Sequence, residues 1–425
     1  MTGSLIWILI LLRRVKEFRS YMSLSSARRA ATLTFSYCTT AVVFVAVFIF
    51  LKGILSPESL QDVLSYIFIS GIAAGIEPGT AKMQLLRASS HVGTFRFAYP
   101  WILIGSTGKA IALSPLLFSA WYLTNHGGLS FVSILLWSPV VAAVGFMTTE
   151  LRAIFDANGR YASAIWLKQG SLSIGILSLA VAIGSNLSLQ VALAISLFVR
   201  LFWLTIFIVR GRGYLERKQI NRERISNEML DYRWIEFVLT SVLATVGGSL
   251  DRIVAFRYLD ATEANSYFVI YELLSKFWLI SYLFSPIVFA KRVRHQNQSR
   301  FVGIALLGTG GIGLVFIAVV MLIIIFWPHF LEYVSNGIVP SLGICIFAAA
   351  IVLASLSMLF NADLQGMGKT KEVATISFLG VIISAVSFYV LTFYFGLNGL
   401  YFAWLIKTTL EILMILIFVF YLRRK

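Results

Sequence analysis

Ionisable side chains recur inside stretches that are otherwise apolar enough to cross a bilayer. The basic ones are Lys109, Lys168, Arg200, Arg252, Lys276 and Lys407; the acidic ones are Glu77, Asp251, Glu272 and Glu411. A charge near the bilayer centre costs about 2.5–3.5 kcal/mol even on the mildest scale, so such residues face a protein interior or a water-filled path. Lys109 and Arg200 have no acidic residue within four positions and lie deep in their runs, which makes them candidates for receiving negative charge. Glu272 with Lys276, and Lys407 with Glu411, are four apart and share a helix face, so each can neutralise its partner. Lys168 stands near one end of its run and can snorkel to the interface. Glu77-Pro78-Gly79 sets a carboxylate beside a break, since Pro removes a helical hydrogen bond. Broken helices bearing carboxylates can bind coupling ions, and a plain packing kink is an equal use of the same residues.

Other chemistries are poorly represented. Cys38 and Cys345 sit far apart in separate apolar runs and give no disulfide or metal spacing. His91, His126, His295 and His329 are scattered singly over four connections and make no metal site. Gly366-Met367-Gly368-Lys369-Thr370 ends like a phosphate loop, but the first glycine of that motif would fall at Asp363, and a strand should precede it. No nucleophile and base stand in a readable arrangement. The connection around Trp327–Ser341 offers only His329 and Glu332 as acid–base groups, so the chain is expected not to be an enzyme and to need no cofactor.

The elements that must position the charges are membrane spans. Of 425 residues 59% are apolar and 13% charged, with a mean hydropathy of +0.86; soluble domains have roughly 45–50% and about 25%. Apolar runs near the length needed to span recur along the chain. They are expected near Ala31–Leu51, Leu60–Lys82, Phe97–Trp121, Phe131–Leu151, Tyr161–Ile183, Leu189–Val209, Tyr232–Phe256, Ser266–Ala290, Phe301–Phe326, Leu342–Leu359, Val373–Phe395 and Leu400–Tyr421. The net charge of +16 is distributed across these spans unevenly. Lys and Arg crowd the N-terminal arm, the segment from Arg210 to Arg233, the segment from Lys291 to Arg300 and the terminal Arg423, Arg424 and Lys425. The alternate connections, Gly53–Ser59, Tyr122–Ser130, Gly184–Ser188, Tyr258–Asn265, Trp327–Ser341 and Gly396–Gly399, hold none. The positive-inside rule then puts both termini in the cytoplasm. The basic excess records orientation and argues against nucleic acid as a partner.

The expected organisation is a basic arm over 1–30 that can lie as an interfacial helix, six spans over 31–209, a charged cytoplasmic linker over 210–231, and six spans over 232–425. An alternative start at Met22 would shorten the arm. The halves look like parallel repeats. Phe155-Asp156-Ala157-Asn158-Gly159-Arg160 follows the fourth span, and Leu364-Gln365-Gly366-Met367-Gly368-Lys369 follows the tenth. Each turn is succeeded by one basic residue inside the last span of its half, Arg200 and Lys407. Gly71 with Gly75, and Gly303 through Gly313 in the ninth span, are small enough to admit close helix contacts.

Leu250-Asp251-Arg252-Ile253-Val254 through Ala264-Asn265-Ser266-Tyr267 to Leu273 resembles the seventh-to-eighth-span junction of bacterial polysaccharide flippases of the multidrug/oligosaccharidyl-lipid/polysaccharide exporter superfamily. Gly396-Leu397-Asn398-Gly399-Leu400, continuing through Ala403-Trp404 to Arg423-Arg424, resembles their last hairpin, and Leu364–Lys369 the turn before it. The resemblance implies an all-α, two-lobed bundle around a central cavity. It further implies a multi-pass protein of the bacterial inner membrane that carries a polyprenyl-pyrophosphate-linked oligosaccharide to the outer leaflet by alternating access. That would serve O-antigen, capsule or exopolysaccharide synthesis, with a polysaccharide polymerase and chain-length machinery as partners. Lys109, Arg200, Arg252, Lys276 and Lys407 would then contact substrate, because Arg grips phosphate oxygens bidentately and Lys supplies a point charge. Glu77, Asp251, Glu272 and Glu411 are the candidates for a coupling proton or sodium ion. The rivals are a multidrug exporter of the same superfamily and a membrane-embedded glycan polymerase or ligase.

Overall fold

The computed structural model describes residues 24–76, 97–125, 127–158, 160–216, 233–294, 299–335 and 341–424. The first half contributes α1 (Leu24–Lys52), α2 (Pro57–Gly75), α3 (Tyr99–Thr124), α4 (Phe131–Ala157), α5 (Tyr161–Gly184) and α6 (Leu189–Gly211). The second contributes α7 (Arg233–Gly247), α8 (Leu250–Tyr258), α9 (Ala261–Leu274), α10 (Leu279–Arg294), α11 (Ser299–Phe326), the short α12 (Pro328–Ser335), α13 (Ser341–Gly366) and α14 (Thr370–Arg424). One two-residue parallel ladder, Phe97–Ala98 against Leu215–Glu216, ties the start of α3 to the segment after α6.

Short polar connections start the helices. Ser56, Ser130 and Ser188 accept from the amides of Ser59, Ser133 and Val191, and Asp260 accepts from that of Glu263. Each satisfies an orphan N-terminal donor. All four caps lie in connections that lack Lys and Arg.

Four of the expected spans differ in form. The seventh is broken at Gly248 and Ser249 into α7 and α8, the eighth carries a 3-10 stretch at Ser275–Trp278 between α9 and α10, and the eleventh and twelfth run together in α14 across Gly396, whose φ is 54°. Among the described residues seven stretches are long and apolar enough to cross a membrane unaided. They include the seventh rod across its break, Val238–Tyr258, and the joined eleventh and twelfth, Thr370–Val419. Glu77-Pro78-Gly79 and the N-terminal arm lie outside the described residues.

The helices form two lobes. In one, α4 packs on α2, α3, α5 and α6, and α1 on α5; in the other, α13 and α14 gather α7, α8, α10 and α11. The repeat is visible in backbone detail. The Arg160 amide donates to Phe155 O at 2.8 Å, and the Lys369 amide to Leu364 O at 3.0 Å. Both turns therefore close with the same six-residue loop, and Gly368 holds the left-handed conformation it needs at φ 77°. Of the glycines expected to admit close contact, Gly75 faces Thr245 and Gly313 packs on Val352, whose Cγ1 an added Cβ would overlap, while Gly71, Gly303, Gly308, Gly310 and Gly311 face open space. A further close approach between helices falls at Gly145, where a Cβ would stand 2.5 Å from the Ala73 backbone. Outward faces are apolar: Phe198 is 71% exposed, as is Leu314. Such a perimeter suits lipid rather than water.

The lobes touch where the connections lack basic residues. Phe256, Ala264, Phe268 and Val269 of the second half join the hydrophobic core of the first. Gln61 Nε2 donates to Phe256 O at 3.1 Å, Asn265 Nδ2 to Pro57 O at 3.1 Å, and Lys52 Nζ to Tyr333 O at 2.9 Å. Toward the other end, Lys168 Nζ lies 5.8 Å from the ring of Tyr282 in α10.

Candidate functional site

Two consecutive glycines, Gly247 and Gly248, end α7 inside the second lobe, and α8 restarts at Leu250. A helix C-terminus leaves carbonyls unpaired and carries partial negative charge. Two cations cover it. Lys407 Nζ from the last span donates to Gly247 O at 3.1 Å, and the Arg252 guanidinium donates to Gly248 O at 2.7 Å.

Asp251, in the first turn of α8, has no exposure. Its Oδ2 accepts from the Tyr267 hydroxyl at 2.5 Å and from Trp404 Nε1 at 3.0 Å, so one carboxylate ties α8 to α9 and α14. Its Oδ1 has no hydrogen-bond partner, and Arg252 Nε lies 3.6 Å from it, also without one. The Arg252 guanidinium is sandwiched, 4.0 Å from the centre of the Tyr271 ring and 4.7 Å from that of Phe68 in the other lobe. Glu272 Oε1 is 4.0 Å from Arg252, while Glu272 Oε2 bonds Lys276 Nζ at 2.9 Å. Lys407 rests 4.3 Å over the Trp404 ring and 3.9 Å from Glu411. The fold thus gathers Asp251, Arg252, Glu272, Lys276, Lys407 and Glu411 around Tyr271 and Trp404 in one cluster. Both expected i, i+4 pairs are formed.

Arg200 belongs to the first lobe and is 2% exposed. Its stem packs on Gly175, where a Cβ would meet Cδ at 2.7 Å, and its Nε reaches Ser171 Oγ at 3.4 Å. Around it the Tyr66 hydroxyl donates to Ser196 Oγ, which donates to Gly175 O. Among the described residues Arg200 has no carboxylate within 4 Å. Lys109 on α3 is half-buried and interacts electrostatically with Glu150 of α4, which is 1% exposed. Glu77 lies outside the described residues.

The cation balance is therefore more even than the sequence suggests. Arg252, Lys276 and Lys407 each have a carboxylate at 4.0 Å or closer, and Lys109 has Glu150; Arg200 stands apart. Glu150 sits near the end of its expected span, next to Leu151, where its position in the sequence gives no sign of burial. Tyr267 and Trp404 stand in the sequence only as members of the two resembling segments, because a buried Tyr or Trp does not reveal in sequence where its donor goes.

No family model matches the chain and no curated protein does either. Solved structures do share its fold. A multidrug resistance MATE family transporter of the MOP superfamily, in an outward-facing conformation, aligns over 92% of this chain and 94% of its own at 15% identity, with a TM-score of 0.64. A Vibrio cholerae MATE transporter variant aligns over 95% and 99% at 15% identity, with a TM-score of 0.60. A MOP superfamily transporter from Pyrococcus furiosus aligns over 92% and 94% at 14% identity, with a TM-score of 0.63; it is described as having a binding pocket of reverse polarity that suggests a different function. Identities this low establish architecture alone: the chain has the two-lobed, all-helical fold of the MOP superfamily transporters.

Proposed function

We propose that this chain is an alternating-access exporter, and that its cargo is a polyprenyl-pyrophosphate-linked oligosaccharide moved from the cytoplasmic to the outer leaflet of a bacterial inner membrane. The two lobes supply the moving parts. The glycan would pass between them, the diphosphate would meet cations, and the polyprenyl tail would stay in lipid. The uneven distribution of Lys and Arg supports cytoplasmic termini. The observation that carries the cargo reading is Arg200, a guanidinium buried at membrane depth with no carboxylate within 4 Å among the described residues. Such a charge is costly unless it is compensated, and an anionic cargo would compensate it. Coupling to a proton or sodium ion through Asp251, Glu272 or Glu411 would require release of the donors and lysines that now hold them.

Arg200→Ala is expected to abolish surface-glycan export in a bacterium lacking its own flippase while leaving the amount of membrane-inserted protein unchanged. Full restoration of export by the variant would remove the assignment.

A second reading is a small-molecule exporter of the same fold. The multidrug transporters among the structural neighbours favour it. So does the pairing of Arg252, Lys276 and Lys407 with carboxylates, which lowers the net positive charge available to an anion. Resistance of an expressing strain to lipophilic cations, with no effect on surface glycan, would select it.

A further inference from the structure

One carboxylate in the second lobe is shared by two cations at membrane depth. We propose that Glu272 is the protein's own substitute for the cargo's phosphate: it neutralises Arg252 and Lys276 when no cargo is bound and is displaced from them when a diphosphate arrives. The inference rests on the anionic-cargo reading above and adds to it the identity of the competing group.

Two neighbouring cations in a low-dielectric region cannot both stay uncompensated. Glu272 compensates them unequally, at 2.9 Å from Lys276 but 4.0 Å from Arg252, beyond hydrogen-bond length. Arg252 keeps donor capacity in reserve, since its Nε, although 3.6 Å from Asp251 Oδ1, makes no hydrogen bond. The neighbouring Asp251 is a poor candidate for displacement, because two donors fix its Oδ2 and it has no exposure. Glu272 and Lys276 differ, with side chains 21% and 25% exposed. Arg252 is covered by Phe68 of the opposite lobe, so movement of that lobe uncovers a guanidinium. A diphosphate presents several oxygens and more than one charge, so it can bond Lys276 and Arg252 together where a single carboxylate reaches only one.

The test uses the full chain in phosphatidylcholine nanodiscs, with geranylgeranyl diphosphate as the probe and geranylgeraniol as its uncharged control. Glu272→Gln, which keeps shape and removes charge, is expected to bind the diphosphate about tenfold more tightly than the native protein, a difference of about 1.4 kcal/mol. Combining it with Arg252→Gln should cancel the gain. A residue that served structure alone would weaken binding when replaced, so the sign of the effect is diagnostic. Should Glu272→Gln fail to fold, Glu272→Ala removes the same charge and carries the same expectation. An affinity within twofold of native, or weaker, overturns the substitute role and leaves the anionic-cargo reading standing. Failure of the native protein and the variants alike to prefer the diphosphate over the alcohol, in nanodisc samples that are monodisperse and folded, overturns both.

Discussion

Asp251 is a fully buried carboxylate whose charge is met by two donors on Oδ2 and by Arg252, whose Nε lies 3.6 Å from Oδ1. Tyr267 and Trp404 each give it a hydrogen bond, and they come from two other helices. Removing one donor from a buried ionised acceptor costs about 1–3 kcal/mol. Trp404→Phe and Tyr267→Phe should each lower resistance to thermal unfolding in detergent by that order. The double variant should cost more than either alone, because the remaining donor compensates in each single variant; equal losses for single and double variants would contradict this. Trp404 also lies under Lys407, so its replacement by Phe tests the indole donor while keeping most of that aromatic face.

At the scale of the element, the break in the seventh rod is a helix end placed inside the lobe. Its exposed carbonyls are covered by Arg252 from the next turn and by Lys407 from the last span, an arrangement favoured by the negative end of the helix dipole. Lys407 therefore has a structural task whatever else it does. Lys407→Met keeps the stem but removes the cap, and should destabilise the protein by about 1–2 kcal/mol, read as a lower midpoint in thermal unfolding. Unchanged stability would mean that the Gly247 carbonyl finds another donor. The matching turns at Phe155–Arg160 and Leu364–Lys369 show how a repeat survives in backbone hydrogen bonds where side chains have diverged.

For the whole molecule, the lobes are held together at one end by side chains that donate to backbone carbonyls of the opposite lobe. Gln61 and Asn265 make reciprocal contacts of this kind, and Lys52 adds a third. Each is worth about 0.5–1.5 kcal/mol, small enough for a conformational equilibrium to break. Spin labels introduced by Glu58→Cys and Glu263→Cys report the separation of the lobes at this end. Adding Gln61→Ala and Asn265→Ala should shift their distance distribution toward longer values. An unaltered distribution would show that the packing of Phe256 and Phe268 alone keeps the end closed.

The spans and the paired turns were legible in the chain because each depends on local properties: apolar runs of bilayer length and a glycine where left-handed backbone is required. Glu272 with Lys276 and Lys407 with Glu411 were legible for the same reason, since a spacing of four fixes proximity on any helix. The rest depended on distance in sequence. That Lys407 would cap a carbonyl 160 positions away, that Trp404 would reach Asp251, and that Phe68 would cover Arg252 follow from how helices pack. Packing is decided by side-chain shape across many rods at once. The sequence by itself determined which residues carry charge into the membrane; the tertiary structure decided which of those charges are already spoken for, because neutralisation in a low-dielectric interior depends on what stands within a few ångströms.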